Sequence, residues 1–575
     1  MNLTRTSAIS LGLVVLLLAT GTWLWSRHAR AWDLGRSSSV LGYDAAQYAL
    51  AARELAEHGR LATTFALPLE LARHPSPPWP LALVQPGLVA VEAVLFRIAG
   101  AADGVGVGGS ADPGDARRLE WLVLALPLAC FLATALLVAF AVGRILSRHA
   151  PRLTPLARAA AGAVVGLSFL LDPEAQHFAA GGFTELPFTL GLIAALSAIA
   201  LESAPRRPFL FGLLLGVTGW FRGNMLWLAP VLAAAAAAPA PRGRRARAFA
   251  LALSGYGLLL APWWIYKWRA FGSTAWDLSW ISVWDGVRGQ TWFSLNHLPS
   301  LPELPTGRVA VAAIAGKTVR NLPALLLALT TGPRAAWLAA LVIWALGTRP
   351  PRALAAAALA AFGLVVMSVV AAAASVPITR YLFPARIVGE CAGMLALWGL
   401  IARAPAGWLG DSGRRTLCVM LAALAIGWGA LRSAHGSAEA RATVLQRGVP
   451  SAPAMTDLAS RLDQELAPGE PVMSNLGPVL AWYARRPVVH LALSPADVDA
   501  CRQRLDLRHV LLVFRQPARA WPPWVEVLQH PDEAARNPDW GIARARRFAT
   551  RDGFLVVWLE LGPLRTRMAA VAAPR

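Results

Sequence analysis

Leu119–Gly143, LEWLVLALPLACFLATALLVAFAVG, followed at once by Arg144-Ile145-Leu146-Ser147-Arg148, decides what kind of chain this is. The first part is an almost unbroken apolar run, long enough to cross hydrocarbon as a helix. The loop after it, 144–158, carries four Arg and no acid. A basic loop against an apolar run marks a cytoplasmic connection between spans. The pattern repeats on both sides of this stretch. Apolar runs at about 7–26, 159–171, 185–201, 208–220, 224–238, 248–266, 334–347, 353–375, 381–401 and 416–431 alternate with polar connections. The expected architecture is a polytopic α-helical membrane protein of about 11 transmembrane helices.

Orientation follows from the Arg distribution. Loops 144–158, 202–207, 239–247, 348–352 and 402–415 hold fifteen Arg against two acids, and all fall on one side if the chain starts inside. That side is read as cytoplasmic. The parity requires that Leu81–Ala99, which contains Pro86, Glu92 and Arg97, lies along the outer interface without crossing. Residues 27–118 then form a first periplasmic loop, rich in acids that include Asp103 and Asp112. Residues 267–333 form a second, with an interfacial helix near 308–329. The N-terminal order of Arg5, an apolar Ser7–Trp25 and Ala29-Arg30-Ala31 has the form of a signal peptide. The length of the apolar part favours a retained first span.

Whole-chain composition agrees. Of 575 residues, 56% are hydrophobic and only 15% charged, against about a quarter charged in soluble domains. The net charge of +21 sits in the loops between apolar runs, with no basic stripe interleaved with stacking aromatics, so no nucleic acid is expected as a partner. Four Cys without a CxxC pattern give neither a disulfide framework nor a zinc site. Residues 1–432 are read as the transmembrane part. Residues 433–575 change character: 471–475, 488–491 and 509–514 read as buried strands, with amphipathic helices at 457–466 and 495–505. A small C-terminal α/β periplasmic domain is expected there.

The candidate functional residues are polar groups at the outer ends of spans, where a charge beside hydrocarbon is paired or used. Asp44 stands in Gly42-Tyr43-Asp44-Ala45-Ala46-Gln47-Tyr48-Ala49, at the start of a helical stretch, and a helix cap explains it equally well. Glu185 opens the fourth span in Thr184-Glu185-Leu186-Pro187-Phe188, where the helix dipole alone favours an acid. Asp172, before Pro173, reads as the end of the third span. Arg222, in the turn of the 208–238 helical pair, and Arg380, in Thr379-Arg380-Tyr381-Leu382-Phe383-Pro384, suit a phosphate at the lipid surface. Snorkelling to headgroups is the competing explanation for each. Lys317 and Arg320 on the interfacial helix are weaker candidates.

Taken in order, these motifs resemble the GT-C superfamily of membrane glycosyltransferases, nearest to bacterial relatives of protein O-mannosyltransferases and the aminoarabinose transferases of lipid A. The carriers are Tyr43-Asp44 through Glu54-Leu55, His74-Pro75-Ser76-Pro77-Pro78-Trp79-Pro80, the Glu185 and Arg380 stretches, and Val472–Asn475 through Trp482–Arg486. The resemblance implies a polyprenyl-phosphate sugar donor and a glycan, lipid or protein acceptor at the outer face of a bacterial inner membrane. It implies Asp44 and Glu185 as catalytic acids, and Arg380, Arg222, Lys317 and Tyr381 on the donor side. It assigns no cofactor and leaves the metal open. Many relatives carry a second acid directly after the first; here Asp44 is followed by Ala45, which weakens a divalent cation held by paired acids. Two other classes stand beside the transferase: a transporter or lipid-carrier flippase, and an inactive GT-C-like scaffold.

Overall fold

In the computed structural model, residues 5–34, 40–100, 113–151, 153–287, 291–296, 306–331, 333–348, 350–403, 410–443, 449–515 and 522–563 are described. Asp103, Asp112, Arg152, Arg349 and residues 404–409 of the 402–415 loop lie outside them.

The chain opens with α1 (Arg5–Ala31) and then α2 (Tyr43–His58). Short pieces follow: β1 (Ala62–Thr63), β2 (Phe65–Ala66), α3 (Pro68–Leu71) and β3 (Trp79–Pro80). Next come α4 (Pro86–Ile98), α5 (Pro113–Val123), α6 (Ala125–His149), α7 (Pro155–Leu170) and α8 (Pro173–Ala179). The bundle continues with α9 (Glu185–Ala200), α10 (Pro208–Phe221), α11 (Met225–Ala237) and α12 (Arg245–Phe271). It closes with α13 (Gly307–Thr330), α14 (Arg334–Gly347), α15 (Arg352–Ala374), α16 (Phe383–Arg403) and α17 (Asp411–Thr443).

Helix starts follow local chemistry. Thr154 caps α7 through Ala157 N at 3.2 Å, and Asp172 caps α8 through Glu174 N and Ala175 N, both at 3.0 Å. In each helix a Pro occupies the first turn, where no N–H partner is needed. Small residues let helices meet at backbone distance. A side chain at Gly162 would strike the Ala139 carbonyl between α6 and α7, and one at Gly212 would strike the Ala252 carbonyl between α10 and α12.

Helices stand at all eleven positions expected to span. By length and composition, however, six stretches among the described residues qualify as full crossings: Arg117–His149, Arg242–Phe271, Gly307–Thr330, Arg352–Ala374, Thr379–Arg403 and Thr416–Glu439. The α7–α8 pair, bent by 66°, has the form of a broken span or a re-entrant loop and makes a seventh only as one span. Helices α9, α10, α11 and α14 are apolar but shorter. The helix expected at the interface, α13, is itself apolar enough to cross. Asn321 of α13 donates to Ala373 O at the end of α15, at 3.0 Å, and Arg334, the first residue of α14, reaches Glu390 of α16 at 2.8 Å. Trp337 and Trp344 then track Gly393 and Gly399 along α16. So α13 packs beside the end of α15, and α14 runs alongside α16 in the same direction as α16.

After the bundle come α18 (Ala452–Glu465), β4 (Val472–Ser474), α19 (Gly477–Ala484), β5 (Val488–His490), α20 (Pro495–Arg502) and β6 (His509–Phe514). The chain ends in α21 (Pro522–Gln529), α22 (Pro531–Arg536), β7 (Ile542–Ala549) and β8 (Leu555–Leu561). Six strands form one sheet in the order β2-β5-β4-β6-β8-β7, parallel from β2 to β6 and antiparallel beyond. Alternation splits its two faces. Val472, Val488 and Leu511 pack with α18, α19 and α2, whereas Met473, Val489 and Val510 pack with Cys501 of α20 and Trp524 of α21. Strand β2 comes from the first loop, not from 433–575, so the sheet is built across that expected boundary.

Candidate active site

Four of the expected side chains converge. Arg380 donates from Nη1 to Asp44 Oδ2 at 2.6 Å and from Nε to Glu185 Oε1 at 2.5 Å. Arg222 approaches the same Glu185 oxygen at 2.9 Å. Glu185 is fully buried, while Arg380 and Asp44 stay about one-third and two-fifths exposed, at 34% and 40%. Two guanidinium and two carboxylate groups cancel in formal charge.

The elements explain the meeting. Asp44 is in the first turn of α2, but the cap of that helix is Gly42, without a side-chain hydrogen bond. Asp44 is therefore not spent on capping; it faces Arg380. Glu185 is the first residue of α9, and its burial is compensated by the two Arg. Arg222 ends α10 in extended backbone and so leaves the helix surface toward Glu185. Arg380 lies in a short 3₁₀ turn, Thr379–Leu382, just before α16. Because these contacts link the end of the α1–α2 connection to the starts of α9 and α16, all three lie at one end of the bundle.

Aromatic rings complete the setting. The Arg380 guanidinium lies over Phe183 at 4.4 Å and near Phe178 at 5.9 Å. Tyr381 receives Arg222 over its ring at 5.8 Å. Such stacking holds a guanidinium plane in place. Lys317 is not in the cluster; its Nζ donates to the carbonyls of Ser282 and Val283 at 3.2 and 3.1 Å. The spacing of candidates in the sequence could not show that α13 turns Lys317 toward the 278–284 turn.

Sequence reasoning left out several neighbours. Tyr48 is one helical turn after Asp44, hydrogen-bonded to Thr184, and burial raises its phenol above the usual range. The i, i+4 spacing was the available signal. Arg386 and Glu390 lie inside 381–401, one of the apolar runs expected to span. Arg386 holds Asp172 with two bonds, at 2.8 and 2.9 Å, and Glu174 at 2.9 Å, and Arg432 adds a contact to Asp172 at 3.1 Å. Asp172 thus both caps α8 and anchors α8 to α16 and α17. Tyr43 meets His490 of the sheet at 3.1 Å.

Guanidinium groups hold one oxygen of each carboxylate at the site, and Glu185 Oε2 is buried without a hydrogen-bond partner. Ala45, where a second acid would stand, is fully buried against Gly182. Among the described residues no group of three or more His, Cys, Asp or Glu is placed to bind a metal.

The architecture is shared with the solved structures of ArnT, a GT-C protein. ArnT, the lipid A aminoarabinose transferase, from Cupriavidus metallidurans bound to undecaprenyl phosphate, matches with a TM-score of 0.54 at 15% identity, over 95% of this chain and 98% of ArnT. Its apo state gives 0.53 at 15% identity, over 96% and 98%. The oligosaccharyltransferase of Archaeoglobus fulgidus gives 0.49 at 13%, over 93% and 72%. The fold is the GT-C fold. No protein-family model and no curated protein matches the sequence.

Proposed function

We propose that the protein is a membrane glycosyltransferase that moves a sugar from a polyprenyl-phosphate donor to an acceptor hydroxyl or amine at the outer face of a bacterial inner membrane. One observation carries the reading: Arg380 bridges Asp44 and Glu185 at one end of a GT-C bundle, with Arg222 beside them. The undecaprenyl phosphate bound to ArnT supports the donor class.

The chemistry follows from the groups. The donor phosphate approaches Arg380, whose Nη2 serves neither carboxylate contact. Asp44 takes the proton of the acceptor, which attacks the anomeric carbon as the carbon–oxygen bond to the phosphate breaks. Attack from the opposite side inverts the anomeric centre. The base must lie within hydrogen-bond reach of that proton, and the departing phosphate needs preorganised positive charge. Arg380 and Arg222 supply it, and Glu185, held by both, keeps them at the site.

A transporter reading draws on Arg386 and Glu390, which lie inside α16. They are, however, engaged by Asp172, Glu174, Arg334 and each other. The deciding experiment gives purified full-length protein a panel of polyprenyl-phosphate hexoses and aminoarabinose with envelope acceptors. Sugar transfer upholds the reading; vesicle uptake without transfer rejects it.

A further inference from the structure

Helix α2 starts without a side-chain cap, at Gly42. The position of Asp44 therefore depends on what the side chains of its first turn touch. Arg380 holds Asp44 from the bundle. Tyr43 is held from the other part of the molecule. Its phenol oxygen lies 3.1 Å from Nδ1 of His490, the last residue of β5, across 447 residues of chain. The two rings meet edge to face at 5.4 Å, and Phe65 of β2 stands 6.1 Å from each. Gly477 opens the room for this: a side chain there would strike the Phe65 ring and lie 3.2 Å from His490 Nδ1. Burial pushes the imidazole down to about 4, so the ring is neutral near pH 7, and in the tautomer that carries its proton on Nε2 the Nδ1 atom accepts the phenol proton.

We propose that His490 is a positioning residue for the transfer reaction: through Tyr43 it fixes the first turn of α2 and, with it, the carboxylate of Asp44. The inference rests on the reading of Asp44 as the base. It makes the sheet, assembled from β2 of the first loop and the strands after residue 470, a working part of the site. One neutral hydrogen bond contributes little to stability. Its effect on rate is larger, because misplacing a reacting group by about 1 Å costs on the order of 10²-fold.

The test is a double-mutant cycle in the full-length protein, using the donor from the panel above that gives the fastest transfer. His490→Phe is expected to lower kcat by roughly 10- to 100-fold, while the donor KM stays near wild type. His490→Gln restores most of the loss, since its amide oxygen can accept the phenol proton. Tyr43→Phe removes one hydroxyl, leaves packing intact and lowers kcat similarly. The Tyr43→Phe/His490→Phe double variant is no slower than the slower single variant, as expected when both act through one contact. Additive losses, an unchanged kcat in His490→Phe, or a change confined to thermal stability would overturn the proposal. If Asp44→Asn abolishes transfer while His490→Phe does not slow it, only the role of His490 falls. If Asp44→Asn itself transfers sugar normally, the base assignment falls and this inference with it.

Discussion

Asp44→Asn should separate rate from binding, and the sign of each change follows from the cluster. Asn keeps the size of Asp, and its amide oxygen can still accept the Arg380 Nη1 bond seen at 2.6 Å. The helix start is unaffected, because Gly42 and not Asp44 is the cap. What is lost is the proton acceptor, a contribution of roughly 10²- to 10⁴-fold in rate. What is gained is charge. Arg380, Arg222, Asp44 and Glu185 sum to zero, and the variant sums to +1. A phosphate about 5 Å away feels that charge by about 3 kcal/mol at an effective dielectric of 20. Asp44 is two-fifths exposed, at 40%, so screening reduces the gain to about 1 kcal/mol, or roughly fivefold in affinity. Steady-state kinetics with a polyprenyl-phosphate sugar should therefore show kcat down by at least about 10² and donor KM unchanged or lower. A kcat within tenfold of wild type, or a KM that rises as kcat falls, would refute the reasoning. The second result would mean that Asp44 serves only to hold Arg380.

Other expectations test neighbouring contacts. Arg380→Ala should raise the donor KM more than Arg380→Lys, because Lys keeps the charge but loses the fork that spans two carboxylates; equal, near-wild-type values would reduce Arg380 to a headgroup anchor. Asp172→Asn retains the α8 cap but takes a buried charge from Arg386 and Arg432 while Arg386 keeps Glu174 and Glu390, so stability should fall by about 2 kcal/mol, read as a lower Tm in detergent without a specific change in donor KM. The His490 imidazole, pushed down to about 4 by burial, is neutral in the folded chain while the unfolded chain takes up a proton below about 6.5. Stability should drop as pH falls from about 6.5 to 4, by up to about 3 kcal/mol, and level off below that; His490→Gln should remove this part of the pH dependence of Tm. Reporter fusions after residue 440 should be active for a periplasmic enzyme, and activity only from a cytoplasmic reporter would invert the topology.

What the sequence disclosed was what it encodes locally. Apolar runs and Arg-rich loops mark helices wherever they occur, so each expected span begins near a real helix. Asp44, Glu185, Arg222 and Arg380 stood out because each is a polar residue at a helix end. Three things were not local. Charges set singly inside apolar runs, Arg386 and Glu390, look like noise until Asp172 and Arg334 are seen against them. Strand β7, Ile542–Ala549, carries Arg544, Arg546 and Arg547, which hide its strand pattern, yet Arg546 pairs with Glu560 of β8. Strand β2 is two residues long and has meaning only through its register with Val488 and Val489. The ambiguity of Asp44 was of another kind. Gly42 and Asp44 both suit a helix start, and only the observed cap at Gly42 frees the carboxylate.

Ala45 also changes meaning once the fold is known. As a sequence feature it is a lost acid beside Asp44. In the structure its Cβ is fully buried and lies 2.9 Å from where a Cβ on Gly182 would be. Gly182 has φ +67, a conformation that glycine adopts without penalty, and it lies three residues before Glu185. Residue 45 therefore supports the loop that delivers Glu185, and its side chain is committed to that packing. An acid at 45 would be desolvated where the Ala45 methyl now packs against Gly182. The positive charge opposite Asp44 and Glu185 comes instead from Arg380 and Arg222, whose planar groups are fixed by Phe183 and Tyr381. The missing acid and the paired guanidinium groups are thus two sides of one arrangement, in which the chain itself provides the cations around its carboxylates.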